Sequence, residues 1–206
     1  DRPEHVLENR RRLAEAVGFD AGQLALAGQV HGAEVCIVDH PGLHPGYDGL
    51  VTRQAGLVLG ITAADCAAVL FYEPERRLLG ACHAGWRGTV SGVVERTLKA
   101  LQALGARPEA LWVYVSPCIG PDSFEVGPEV AAYFEPEVVF QPPGHPRPHV
   151  NLPGALVRRL QQAGVPKQQI TVAPCDTARQ TQDFFSYRAE RGQTGRMLGF
   201  IGLRPE

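Results

Sequence analysis

No CxxC pair occurs in the 206 residues, and neither GxGxxG nor GxxxxGK[ST] is present. The first absence argues against a structural zinc knuckle. The second leaves dinucleotide and Walker-type nucleotide binding unsupported. Apolar runs fall short of the ~18–20 residues that span a bilayer, and no charged-then-apolar secretory leader is visible. Basic side chains are scattered, with a formal net charge of -2, so neither a nucleic acid nor a membrane is expected as partner. Nothing in the sequence indicates an oligomeric state. The five cysteines at 36, 66, 82, 118 and 175 are odd in number and widely spaced. They do not form a disulfide framework, and the expectation is reduced thiols in a cytoplasmic protein. Cys36, inside AEVCIVD, has the surroundings of a small core hydrophobe. The chain opens on Asp1, not Met, already at the approach to a helix; an N-terminal segment is expected to precede it.

What is present suits one domain over residues 1–206. Hydrophobic residues make up 44% and charged residues 20%, enough to build a sizeable core. Residues 4–17 place Val6, Leu7, Leu13, Ala14 and Val17 at helical spacing and stop at Gly18. LALAGQV and AEVCIVD are short strands, HPGLHPGYDG is a Pro/Gly loop, and LVLGITAADCAAVLFY opens as a buried strand. RLLGACHAG is a further buried strand. A helix is expected over 89–104, closed by Gly105. LWVYVSP, ITVAPC and MLGFIGL are strands, with helices from Pro128 to Phe134 and over 152–163, and 135–149 is expected to be irregular. Two strand-rich stretches break strict βαβ order, so the expectation is a layered α/β domain with a mixed β-sheet.

Three polar residues lie at the ends of apolar strands beside small residues: His31 in GQVHG, Cys66 in TAADC and His83 in CHAGW. Strand-to-loop passages are where rigid scaffolds present functional side chains. A histidine at such a place is also a common structural residue. Two imidazoles and a thiol suit zinc, with a fourth position for water or substrate. The spacings of 35 and 17 residues match no short metal motif, so spacing alone does not bring the three together. In HAGWRGT, Gly85 and Gly88 permit close backbone approach, Thr89 is a candidate helix cap, and Arg87 makes the region a candidate phosphate or carboxylate site. A plain capped turn with a solvated Arg has the same sequence. FFSYRAERGQTGRM offers Tyr187 for ring stacking and Arg188 and Arg196 for anions, or an ordinary surface loop. Glu125 in FEVG is a candidate general acid or base, or a helix-start carboxylate.

Together QVHG, DGLVT, TAADC, CHAGWRGT, SPCIG, FEVG and FFSYR…TGRMLGFIGL resemble the laccase-domain family, in order over nearly the whole chain. Its bacterial and animal members carry the labels purine nucleoside phosphorylase, polyphenol oxidase and peptidoglycan editing factor. The resemblance implies a one-domain α/β/α layered fold and a zinc site at His31, Cys66 and His83. It further implies phosphorolysis of adenosine, inosine, guanosine and methylthioadenosine, with adenosine deamination as companion activity and phosphate as co-substrate. Asp65 and Glu125 are then candidates for proton transfer, and Arg87 for phosphate. The pattern departs from the family's in three places. Thr62-Ala63-Ala64-Asp65-Cys66 is one residue longer than TADC, and Ala189 stands where FSYRR has its second Arg. The late Cys-Thr pattern appears as Cys175-Asp176-Thr177.

Two other chemistries fit the same residues. Two His and a Cys match a blue-copper set, for which Met197 is the one thioether available; seven histidines in all are few for a multicopper oxidase of phenols. Without a metal, Cys66 and His83 would be the nucleophile and base of a thiol hydrolase. A role in binding or editing peptidoglycan precursors is a further alternative.

Overall fold

The computed structural model describes residues 2–204. Helix α1 (Pro3–Val17) begins with Pro in its first turn and ends at Gly18, whose φ of 88° supplies the left-handed cap foreseen there. Strands β1 (Leu24–Ala27), β2 (Val35–Ile37), β3 (Gly42–His44) and β4 (Gly49–Thr52) follow. The segment expected as a plain Pro/Gly loop thus contains β3, which pairs in parallel with β1. The stretch expected to open as a buried strand does so with β5 (Val58–Ala63) and holds a second strand, β6 (Ala67–Glu73), with which β7 (Leu78–Ala84) completes a hairpin.

The helix expected at 89–104 starts three residues earlier and is broken. Helix α2 (Trp86–Val90) runs to Ser91, and Gly92, at φ 82°, turns the chain into α3 (Val93–Ala103). Thr89 therefore lies inside α2 and is not a cap; Gly85 occupies the N-cap without a side-chain bond. Strand β8 (Trp112–Val115), helix α4 (Pro128–Ala131), strands β9 (Val139–Phe140) and β10 (His149–Val150), helix α5 (Leu152–Gln162) and strands β11 (Ile170–Val172) and β12 (Met197–Gly202) complete the order. The supposedly irregular 135–149 carries β9 and the start of β10, an antiparallel ribbon.

The α/β class with mixed pairing holds, but the strands divide between two principal sheets where one was expected. One has the order β12-β5-β1-β3, the other β11-β8-β6-β7-β4-β2. Each contains parallel and antiparallel neighbours. The reason is alternation. In β7, Leu78, Cys82 and Ala84 face the helical core with Val93, Leu98 and Leu101, while Leu79 and Ala81 face the second sheet with Ala25, Leu59 and Ile61. A strand apolar on both faces is covered on both sides. The sheets approach closely at Gly199, where a side-chain carbon would come within 2.6 Å of Ala68 Cβ.

The same period of two decides where the chemistry lies. His83 continues the row Leu79, Ala81 toward the seam between the sheets. Cys66, two residues before Ala68, lies on that same face, and Ala68 pairs with His83. His31 arrives from the carboxyl end of β1 in the facing sheet. Strand ends from both sheets thus converge at one end of the seam.

Candidate metal centre

The ligand atoms of His31, Cys66 and His83 lie within 4.8 Å of one another, and the two imidazoles meet edge to face at 4.8 Å between centroids. His83 is buried, Cys66 half-buried and His31 exposed, so the cluster opens toward solvent on one side. It lies against a cavity of about 940 Å³ that Trp86, Arg87, Phe124, Tyr187, Arg188 and Arg196 also line.

A residue that sequence reasoning passed over organises the cluster. Asp48, in the quoted DGLVT stretch, is fully buried. Its Oδ1 accepts from the His31 amide at 3.0 Å and faces His83 Nδ1 at 2.9 Å. Its Oδ2 accepts from the amides of Val30 at 3.0 Å and Gly32 at 2.8 Å. A carboxylate only accepts, so Nδ1 of His83 carries the proton and Nε2 presents its lone pair to the cluster. This is the outer arrangement that orients metal-bound histidines. Burial disfavours the Asp48 charge, but His83 and the two amides outweigh it and hold the carboxyl below its usual range.

Gln29 makes a second clamp. Its side-chain amide donates to the Thr62 carbonyl at 2.6 Å and accepts from the Thr62 amide and hydroxyl at 2.8 and 2.9 Å. Thr62 therefore binds the QVHG loop to β5 despite the longer spacing that follows it. Both Gln29 and His31 have positive φ, 43° and 60°, and so does Asp65 at 79°. Such backbone costs about 1–3 kcal/mol per residue and persists where surrounding bonds over-determine it; Asp48 and Gln29 supply those bonds for the QVHG loop, and Thr177, Arg188 and Ile119 supply them at Asp65.

Burial opposes the charged form of Cys66, yet hydrogen bonds from His31 and His83 bring its thiol down to about 7. Burial likewise opposes charge on His83, but Asp48 and Cys66 lift it to about 9. Without a metal the favoured form is a thiolate beside a protonated His83; a bound metal would take the place of the Nε2 proton, leaving Nδ1–H on Asp48 and the thiolate as ligand. Space for the sulfur is provided by Gly85, where a Cβ would sit 2.5 Å from Cys66 Sγ. Donor chemistry, tautomer control and this cradle all fit a metal ion with an open position. Among the described residues the other four cysteines make no such group, and Cys82 and Cys118 are pushed by burial up to about 12.

The remaining candidate residues divide. Asp65 is nearly buried and committed, Oδ1 accepting from Thr177 Oγ1 at 2.7 Å and Oδ2 from the Arg188 amide at 2.6 Å. Arg188 donates on to the Glu125 carbonyl at 2.9 Å and lies over Phe124. Arg87 stacks on Trp86 at 4.5 Å, and Arg196 lies 5.9 Å above the ring of the exposed Tyr187. The Glu125 carboxylate faces the cavity but stands beside His145 and His149, at 3.7 and 3.9 Å. Met197 is not brought to the cluster; it opens β12 and lines a different cavity with Tyr114 and Phe184.

A family model described as multi-copper polyphenol oxidoreductase laccase matches residues 1–204. A Deinococcus radiodurans protein named purine nucleoside phosphorylase is 44% identical over 207 residues, covering 98% of this chain and 79% of that protein. A Geobacillus stearothermophilus protein named purine nucleoside phosphorylase YlmD is 36% identical over 221 residues, covering 98% and 80%. The crystal structure of YlmD from that organism superposes with a TM-score of 0.91 at 35% identity, covering 97% of this chain and 80% of that one. A Bacillus licheniformis structure titled hypothetical protein YfiH gives 0.91 at 29% identity, covering 98% and 82%.

Proposed function

We propose a function from the premise that the chain belongs to the family described as multi-copper polyphenol oxidoreductase laccase, whose model spans residues 1–204. Relatives in this family are named purine nucleoside phosphorylase. Our reading is a zinc-dependent phosphorylase of purine nucleosides, acting on adenosine, inosine, guanosine and methylthioadenosine, with adenosine deamination at the same site. The observation that carries it is the convergence of His31, Cys66 and His83 on a cavity rimmed by aromatic rings and guanidinium groups.

His31, Cys66 and His83 would hold the ion. When bound, it supplies Lewis acidity toward a substrate oxygen or water. Asp48 keeps His83 in the ligating tautomer. Tyr187 and Trp86 offer ring faces for a purine, and Arg87, Arg188 and Arg196 offer the charge and donors that phosphate requires. Asp65 acts as a positioning residue, since its carboxylate tethers Thr177 and the Arg188 backbone. Zinc is preferred to copper because the thioether of a blue-copper set is elsewhere in the molecule.

The test is direct. Zinc-loaded protein with inosine and phosphate releases hypoxanthine, and with adenosine releases ammonia, while His83→Ala does neither. Equal turnover by His83→Ala overturns the reading. One observation favours a second reading, a metal-free thiol hydrolase: the Cys66 thiol at about 7 beside two imidazoles. Metal content of protein purified without added ions separates the two, since stoichiometric zinc leaves Cys66 a ligand.

A further inference from the structure

We propose that Glu125, His145 and His149 form a second metal site for a divalent transition-metal ion such as zinc, distinct from the centre at His31, Cys66 and His83. It goes beyond the function proposed above and does not depend on it. The ligand atoms of the three lie within 4.8 Å of one another, and the two imidazoles meet edge to face at 4.9 Å.

The backbone sets up this grouping. Glu125 and His149 are opposed in an isolated antiparallel bridge, flanked by Val126 N–H to Pro148 O at 2.9 Å and Val150 N–H to Phe124 O at 3.1 Å. Directly opposed residues project to the same face. On its other side β10 pairs with β9, and Phe140 covers His149 at 5.7 Å between ring centroids. His145 comes from the turn between β9 and β10, closed by its own amide bonding to Pro142 O and by Gln141 donating to its carbonyl.

The decisive observation is the state of His149. It is 2% exposed. Its Nδ1 lies 2.9 Å from the Pro121 carbonyl, which only accepts, so the proton is on Nδ1 and Nε2 carries a lone pair. That Nε2 is buried and has no hydrogen-bond partner. It points at Glu125 Oε2, 3.9 Å away, and His145 Nδ1 stands 3.7 Å from the same oxygen. Both separations are too long for hydrogen bonds. They are close to the spacing of ligands around one ion, about 3.4 Å for tetrahedral bonds near 2.1 Å. A backbone carbonyl fixing one ring nitrogen while the other faces a carboxylate and a second imidazole is a ligand arrangement. Two imidazoles and one carboxylate suit zinc and its first-row neighbours, with positions left for water.

Such an ion would tie the β9–β10 turn to the wall of the main cavity. Glu125 lines that cavity and so does Arg147, two residues beyond His145. Occupancy would hold Arg147 at the rim.

Titration of metal-free protein with zinc and with cobalt(II) tests the proposal. Wild type should bind one cobalt with a sulfur-to-metal charge-transfer band, from Cys66, and another showing only ligand-field absorption. His145→Ala, at a half-exposed residue, and His149→Gln should keep the charge-transfer equivalent and weaken the sulfur-free one at least about tenfold. Cys66→Ser should lose the charge-transfer band and keep the sulfur-free equivalent. Wild type lacking a sulfur-free equivalent overturns the proposal, as does one that persists unchanged in both histidine variants.

Discussion

The floor and the rim of the cavity are built by different means. His31, Cys66 and His83 stand at the ends of strands from two sheets, held by a buried carboxylate and by backbone locked in costly conformations. Arg87, Tyr187 and Arg196 stand on a five-residue helix and on loops, and contact mainly one another or neighbouring carbonyls and rings. Chemistry that needs fixed geometry is placed on rigid elements, and recognition that tolerates adjustment is placed on loops. The comparison predicts that floor substitutions remove metal and stability together, whereas rim substitutions change substrate affinity.

Asp48→Ala should have the largest effect. It strips the partner from His83 Nδ1 and from three amides at once. Loss of one buried, hydrogen-bonded charge on this scale costs about 3 kcal/mol or more. Zinc affinity should fall about 10–100-fold, the usual consequence of losing an orienting carboxylate. Urea unfolding and a zinc competition assay measure the two, and wild-type values in both would break the comparison.

Thiol chemistry gives the next largest contrast. At pH 7 a thiol at about 7 is half ionised, roughly fiftyfold more than one at its ordinary value of 9.0. In metal-free protein Cys66 should be carboxymethylated first, at a rate that climbs as pH rises through about 7. Cys82 and Cys118, raised by burial to about 12, should stay unmodified until the chain unfolds. Zinc should protect Cys66. Mass spectrometry of the labelled peptides reads the order, and equal labelling of Cys66 with or without zinc would remove it from the ligand set.

Gly85→Ala sharpens the comparison within the floor. The added Cβ would sit 2.5 Å from Cys66 Sγ, with no comparable backbone restriction at its φ of -80°. Overpacking of this kind costs about 1–3 kcal/mol. The expected result is weaker zinc binding with the loss concentrated at the sulfur ligand, read as a shifted cobalt charge-transfer band. An unshifted band would mean that Cys66 moves freely.

Much of the floor was legible in the sequence because strand ends carry a recognisable signature. Apolar runs stopping at His31, Cys66 and His83 marked the positions, and family resemblance joined them. Asp48 was not legible: Tyr47-Asp48-Gly49 reads as a turn, and only the fold turns that carboxylate inward beneath three amides. The second sheet was hidden for a related reason. TAADCAAVLFY is apolar on both sides of Asp65, and a lone Asp does not by itself mark the change of sheet at Ala64-Asp65-Cys66. Thr89 misled because a threonine after glycine resembles a cap, although Gly92 was the true break. His149 was also unread, since its partners Glu125 and Pro121 lie 24 and 28 residues away.

The smallest predicted effect belongs to the rim and decides whether the division is sound. Tyr187 is 57% exposed, and its ring is engaged by Arg196 and by the backbone at Gly192. Stacking of a base on an aromatic ring contributes about 1–3 kcal/mol, and so exposed a ring belongs at the low end. Tyr187→Ala should therefore raise KM for inosine about fivefold, a change near 1 kcal/mol, while kcat stays within about twofold. Tyr187→Phe keeps the ring face and should leave KM within about twofold. Zinc content should be unchanged in both, because Tyr187 is not one of the three residues grouped at the metal centre. Steady-state kinetics with metal analysis on the same samples separates the outcomes. A fall in kcat matching the rise in KM would mean that Tyr187 acts in the transition state, and the rim would then share the chemistry of the floor.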